Sequence, residues 1–80
     1  MRILDKDKDQ AVRNIVLLLT KVEANEFYQS IMDLLKNENQ VRHQHVNDQE
    51  FKHEITVSLY DPTDLTTFKP RFQKLIQEDV

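Results

Sequence analysis

These 80 residues contain no glycine, no cysteine and no tryptophan, and only two prolines, Pro62 and Pro70. The missing glycine excludes most. Phosphate-cradling loops, dinucleotide fingerprints and the nucleophile elbow of serine hydrolases all need glycine where the backbone takes positive φ or closely approaches a ligand. Turns must instead be made by Asn and Asp, which tolerate the left-handed region and bond to their own backbone. Two clusters qualify, "DKDKDQ" at 5–10 and "VNDQ" at 46–49. The missing cysteine removes disulfides, thiolate zinc sites and thiol nucleophiles together, and fits a reducing, cytoplasmic setting. A chain of this length without staples is expected to be a single domain, 1–80, held by packing alone.

Neither sign of charge dominates: 11 Lys and Arg against 14 Asp and Glu leave a net charge of −3, evenly scattered. Without a basic face, nucleic acid is disfavoured as a partner. "MRILDKDKDQ" turns charged too early for the apolar core of a signal peptide, and "IVLLL" is too short to span a bilayer. The expectation is a soluble cytoplasmic protein with no membrane partner.

What is present is a set of short patterned segments. "NIVLLL", residues 14–19, is continuously apolar, and periodicity alone does not separate strand from buried helix there. Thr20 and Glu23 decide the matter, because T-x-x-E is a capping box and starts a helix at Lys21. One long helix from Asp9 to Lys36 would bury that box in mid-helix, so the apolar run is read as a strand. After the cap, Ala24, Phe27, Ile31, Leu34 and Leu35 recur at helical spacing, and the helix fades in "KNENQ", residues 36–40. Residues 50–61, "EFKHEITVSLYD", alternate cleanly as a strand, with Phe51, His53, Ile55, Val57 and Leu59 on the core face. Residues 41–46 should pair with them as a hairpin, and "RIL", residues 2–4, should pair with 12–19. A last helix is predicted from Pro62 at its first position, with Leu65, Phe68, Phe72, Leu75 and Ile76 as its apolar stripe and Pro70 either kinking it or forcing a restart near Phe68.

Offset by 41 residues, Thr20 falls on Asp61, Phe27 on Phe68 and Leu34 on Leu75; offset by 40, Ile15 falls on Ile55 and Leu17 on Val57. Residues 1–40 and 41–80 therefore read as ββα half-repeats, by duplication or by the general likeness of any strand followed by an amphipathic helix. The expected fold is α+β, a ββαββα two-layer sandwich whose four-stranded, mainly antiparallel sheet carries both helices on one face. In that fold Ile15, Leu17 and Leu19 face the helices, while Val16 and Leu18, with Tyr60, form an uncovered row on the opposite face. A second copy of the chain is the expected cover.

All three histidines, His43, His45 and His53, lie in "HQHVNDQEFKHE". H-x-H on one strand with a third imidazole from the next resembles the open three-histidine set of catalytic zinc. If Val46 faces the core beside His53, however, His43 and His45 point the other way and the three do not converge. A pH-responsive hairpin is the other use the histidines suggest. Ser30 and Ser58 have no evident general base, and Asp5, Asp7 and Asp9 alternate with lysines without the glycine and closing glutamate of a calcium loop. No catalytic constellation and no cofactor is expected.

Leu19, Thr20, Glu23 and Ala24, the histidine-rich hairpin, Phe68 and Leu75–Ile76 together resemble a family of small bacterial proteins with LT-x-x-EA and F-x-x-R-x-x-x-LI segments. Arg71 stands one place earlier than that pattern's arginine, and Pro70 departs from it. The resemblance implies a cytoplasmic bacterial protein and carries over no functional residue. The functional expectation is a non-enzymatic interaction or assembly module whose partner is itself, as a homodimer, or another protein. The alternative is a metal site at the histidines.

Overall fold

A computed structural model describes residues 1–37 and 43–80. Two helices and two two-stranded antiparallel sheets make an α+β protein: β1 Leu4–Asp5, β2 Gln10–Ala11, α1 Lys21–Lys36, β3 His43–Asn47, β4 Glu54–Ser58 and α2 Pro70–Glu78. In place of the expected single four-stranded sheet, β1 pairs only with β2 and β3 only with β4 among the described residues. The chain forms two compact units, Met1–Leu17 with Tyr60–Val80, and Leu18–Leu59, a partition that differs from the halves 1–40 and 41–80.

In the first unit, Asp5 builds the β1–β2 turn by accepting the N–H groups of Asp7 and Lys8 at 3.1 Å each, and Asp9 takes the left-handed φ of 54° that glycine would otherwise supply. The ladder pairs Leu4 with Ala11 and continues to a Val12 N–H to Ile3 O bond of 2.9 Å. One step further the register sets Arg13 opposite Arg2, and like charges directly opposed disfavour pairing. Both arginines turn instead to the end of α2. Arg2 Nε donates to the carbonyls of Leu75 and Ile76 at 3.2 and 3.1 Å, and Arg13 Nε lies 3.7 Å from Asp79 Oδ2. Cations are favourable there because the last helical carbonyls lack intrahelical partners. At the other end, Arg71 donates to Asp9 Oδ1 at 2.5 Å and to the carbonyl of Val80 at 2.9 Å.

α2 starts later than the sequence suggests. Asp61 Oδ1 accepts the N–H of Thr63 at 2.9 Å and its hydroxyl at 2.7 Å, and Asp64 Oδ1 holds Thr66 in the same way at 3.1 and 2.6 Å. These local side-chain bonds capture the backbone in turns and compete with a helix over residues 61–69. Lys69, extended as a residue before proline should be, is the N-cap, and Pro70 is the first helical residue. Pro70 thus opens the helix instead of kinking it. Under the 41-residue offset Lys21, the first residue of α1, maps onto Pro62, whereas α2 begins at Pro70. Leu75 is the buried residue of α2, and Phe68 meets Phe72 edge to face with centroids 6.4 Å apart.

In the second unit, α1 begins at Lys21 as the capping box requires. Thr20 Oγ1 accepts the Glu23 N–H at 3.2 Å, and Glu23 Oε1 accepts the Thr20 N–H at 2.9 Å. Glu23 Oε2 also accepts the N–H of Gln49 at 3.4 Å, which ties the start of the helix to the β3–β4 turn. These bonds hold the Glu23 carboxyl below its ordinary pKa, the Thr20 N–H most of all. α1 packs on the hairpin through Leu34, which is 0% exposed, and Val46 of β3 is buried with it. The helix ends at Lys36, with Asn37 as C-cap; the rest of the expected fading segment, 38–40, and the expected strand residues 41 and 42 lie outside the described residues.

Candidate functional site

Three places in the described residues carry exposed groups suited to recognition or chemistry: the run 14–19, the histidine strand, and a cleft beside it. The run was expected to pair, and it does not. Beyond Val12 no described residue makes a backbone hydrogen bond with residues 14–19, so this stretch is neither ladder nor helix. Its exposure still alternates as in an extended chain. Val16 and Leu18 are 82% and 89% exposed, while Ile15, Leu17 and Leu19 lie between 40% and 51%. Five consecutive apolar side chains, two largely and three about half exposed, therefore flank backbone N–H and C=O groups that no other described backbone group pairs. Tyr60, expected in the same row, lies two residues beyond the end of β4 and is half-buried.

The β3–β4 register pairs Val46 with Ile55, His45 with Thr56 and His43 with Ser58. With Val46 buried, His43 and His45 fall on the exposed face, where their rings meet edge to face at 5.0 Å. His45 Nδ1 lies 2.9 Å from Thr56 Oγ1 and 2.7 Å from Glu54 Oε1. His53 and Phe51 do not sit on the core face. β4 begins only at Glu54, and both residues belong to the turn and are exposed. The reason is Asp48, whose Oδ1 accepts the N–H groups of Lys52 and His53 at 2.8 and 3.3 Å and whose Oδ2 lies 2.6 Å from His53 Nδ1. That side-chain bond, above all, holds the Asp48 carboxyl below its ordinary pKa. The wide turn also puts Phe51 at a φ of 56°, an uncommon conformation for a bulky residue. Among the described residues no three of His, Cys, Asp or Glu come together as a metal-binding group.

A cleft of about 470 Å³ opens beside His45, lined among others by Gln29, Ser30, Asn47, Asp48 and Phe51. Ser30 and His45 both border it, but the imidazole Nδ1 is engaged by Thr56 and Glu54, and no bond links it to the serine hydroxyl. A nucleophile and base in contact, which acyl or phosphoryl transfer through serine needs, are not paired here.

Val16 and Leu18 were legible as surface in the sequence, whereas Ile15, Leu17 and Leu19, expected to face the helices, are exposed as well because the run has no strand to pair with, and the turn bonds of Asp48 were not legible. Asp48 was marked only as a turn former, and its five-residue reach to His53 depends on a loop length that alternation does not specify. No helix among the described residues is long and apolar enough to cross a membrane. No family model, no curated protein and no solved structure matches this chain.

Proposed function

We propose that this chain is a small, non-enzymatic interaction or assembly module, homodimeric, and that Ile15–Leu19 is its contact, with Val16 and Leu18 at the centre. One observation carries the reading: five consecutive exposed aliphatic residues lie on backbone that bonds to no other described residue. Single exposed hydrophobes are ordinary, but a contiguous apolar patch together with unpaired backbone marks a surface that is covered in use. The single-sheet ββαββα arrangement would also cover the run, by drawing it against a strand of the same chain; a second copy does so without rearranging either hairpin. Size-exclusion chromatography with light scattering tests the proposal. The wild-type chain should dimerise as concentration rises, and the double substitution of Val16→Lys and Leu18→Lys should keep it monomeric while leaving α1 helicity unchanged. A wild-type chain that stays monomeric into the millimolar range defeats the proposal.

The adjacency of His43 and His45, with Glu54 beside them, favours a second reading in which a divalent metal is held by His43, His45 and His53. His53 would first have to leave Asp48. Calorimetric titration with zinc should give a saturable heat that His45→Ala removes, and no saturable heat eliminates this reading.

A further inference from the structure

The proposed contact has a geometry that the sequence of the run itself specifies. Strands can meet a partner by adding to its edge, where main-chain bonds supply adhesion and side chains supply specificity. Residues 14–20, "NIVLLLT", present an edge of this kind, since no charge, glycine or proline interrupts them and the backbone of 14–19 bonds to no other described backbone group; only Thr20 is engaged, its N–H by Glu23 and its C=O by the Ala24 N–H. The run is also symmetrical in residue class about Leu17, with two aliphatic residues on each side and then a polar residue, Asn14 or Thr20.

That symmetry decides the occupant. When two identical strands pair antiparallel about a two-fold axis, the axis runs perpendicular to the sheet and keeps each residue on its own face. Residues directly opposite must share a face, so the two position numbers of every pair differ by an even amount, and one residue meets its own copy. A register centred on Leu17 satisfies this condition and sets every aliphatic residue against another: Leu17 on Leu17, Val16 on Leu18, and Ile15 on Leu19. Asn14 then faces Thr20. Centring on Val16 or Leu18 instead would set Leu18 against Asn14 or Val16 against Thr20. The helix that starts at Lys21 ends the ladder before Lys21 meets Arg13. Two strands that meet only by their edges bury well under the area of a standard interface, which places the association in the weak, concentration-dependent class.

We infer that residues 14–20 pair antiparallel with the same residues of a second copy, with Leu17 on the two-fold axis. This rests on the run being the contact proposed above. The absence of native cysteine makes the test clean. Leu17→Cys should form a disulfide-linked dimer under mild oxidation, because the two Cα atoms facing each other across an antiparallel ladder are about 4.5–5.5 Å apart. Val16→Cys or Leu18→Cys alone should cross-link at least tenfold more slowly, since a residue and its own copy are then displaced by two positions along the ladder. A mixture of those two variants should give the mixed dimer preferentially.

Equal cross-linking of the three single variants, in a chain whose dimer is still dissociated by the lysine substitutions, overturns strand pairing and leaves the interaction reading standing. Amides of Val16 and Leu18 that resist hydrogen exchange equally at every dilution indicate pairing within one chain and also overturn it. No dimer at any concentration removes both proposals.

Discussion

Ile55 and Val57 on β4 belong to the same β-branched, strand-favouring class as Ile15 and Val16 on the run ahead of α1. The first pair is half-buried in a ladder, and the second stands on unpaired backbone. Propensity does not separate them. The difference lies in what each segment meets next along the chain. β4 finds β3 across a turn that Asp48 closes, and the polar residues Glu54, Thr56 and Ser58 face outward so that one side of the strand tolerates water. The run continues from β2, whose ladder ends where Arg13 would oppose Arg2, and it has no polar alternate residues to turn outward. Strand formation in so small a protein is therefore governed by the availability of a compatible partner.

The comparison is broken most forcefully by cutting into the sheltered side. Leu34→Ala removes the one fully buried side chain among the described residues and should cost about 2–5 kcal/mol, measured by urea denaturation, because the site between α1 and the hairpin collapses only in part. Leu18→Ala, at a residue of the same type that is almost wholly exposed, should change the stability of the monomer by no more than about 0.5 kcal/mol. Similar losses at the two sites would mean that the run is sheltered in solution.

A smaller effect tests what separates the run from α1. Thr20→Ala deletes the hydroxyl that accepts the Glu23 N–H and should destabilise the chain by about 1 kcal/mol, with the first turn of α1 fraying in hydrogen exchange. Thr20→Ser should restore most of that loss. This cap was fully legible in the sequence because T-x-x-E is a local signal whose partners lie within one turn. The extended reading of "NIVLLL" followed from it and agrees with the alternating exposure of the run. What was not legible depended on pairing at a distance. How far the β1–β2 ladder runs turns on the opposed Arg2 and Arg13, a conflict visible only once the register is known. The placing of Pro70 turned on Asp61 and Asp64, whose carboxylates take the N–H groups of Thr63 and Thr66 before a helix can use that stretch. The histidines were misassigned for a related reason: alternation was extended through His53 and Phe51, but Asp48 draws both into the turn and halts the strand at Glu54.

The smallest predicted effect concerns that turn and bears on why β4 is paired at all. In the folded chain the Asp48 carboxyl is held below its ordinary pKa of 3.8, so its ionised form is favoured by folding. A group whose pKa is depressed on folding contributes stability that is fully present above the unfolded value and fades as pH falls through the lower, folded value. Acidification below 3.8 should therefore loosen the β3–β4 turn, with the amide resonances of Lys52 and His53 moving toward their unfolded positions while those of β1 and β2 respond separately. Asp48→Asn replaces the carboxylate with an amide that does not titrate: its oxygen still accepts the Lys52 and His53 N–H groups, more weakly for being uncharged, and the Oδ2 that meets His53 Nδ1 becomes an NH2 group. In that variant the turn should be weaker at neutral pH, and the acid-dependent movement of those two amides should disappear. Were the movement to persist in Asp48→Asn, the pairing of β4 would owe its acid sensitivity to another carboxylate, of which Glu23, bonded to the N–H of Gln49 in the same turn, is the nearest candidate.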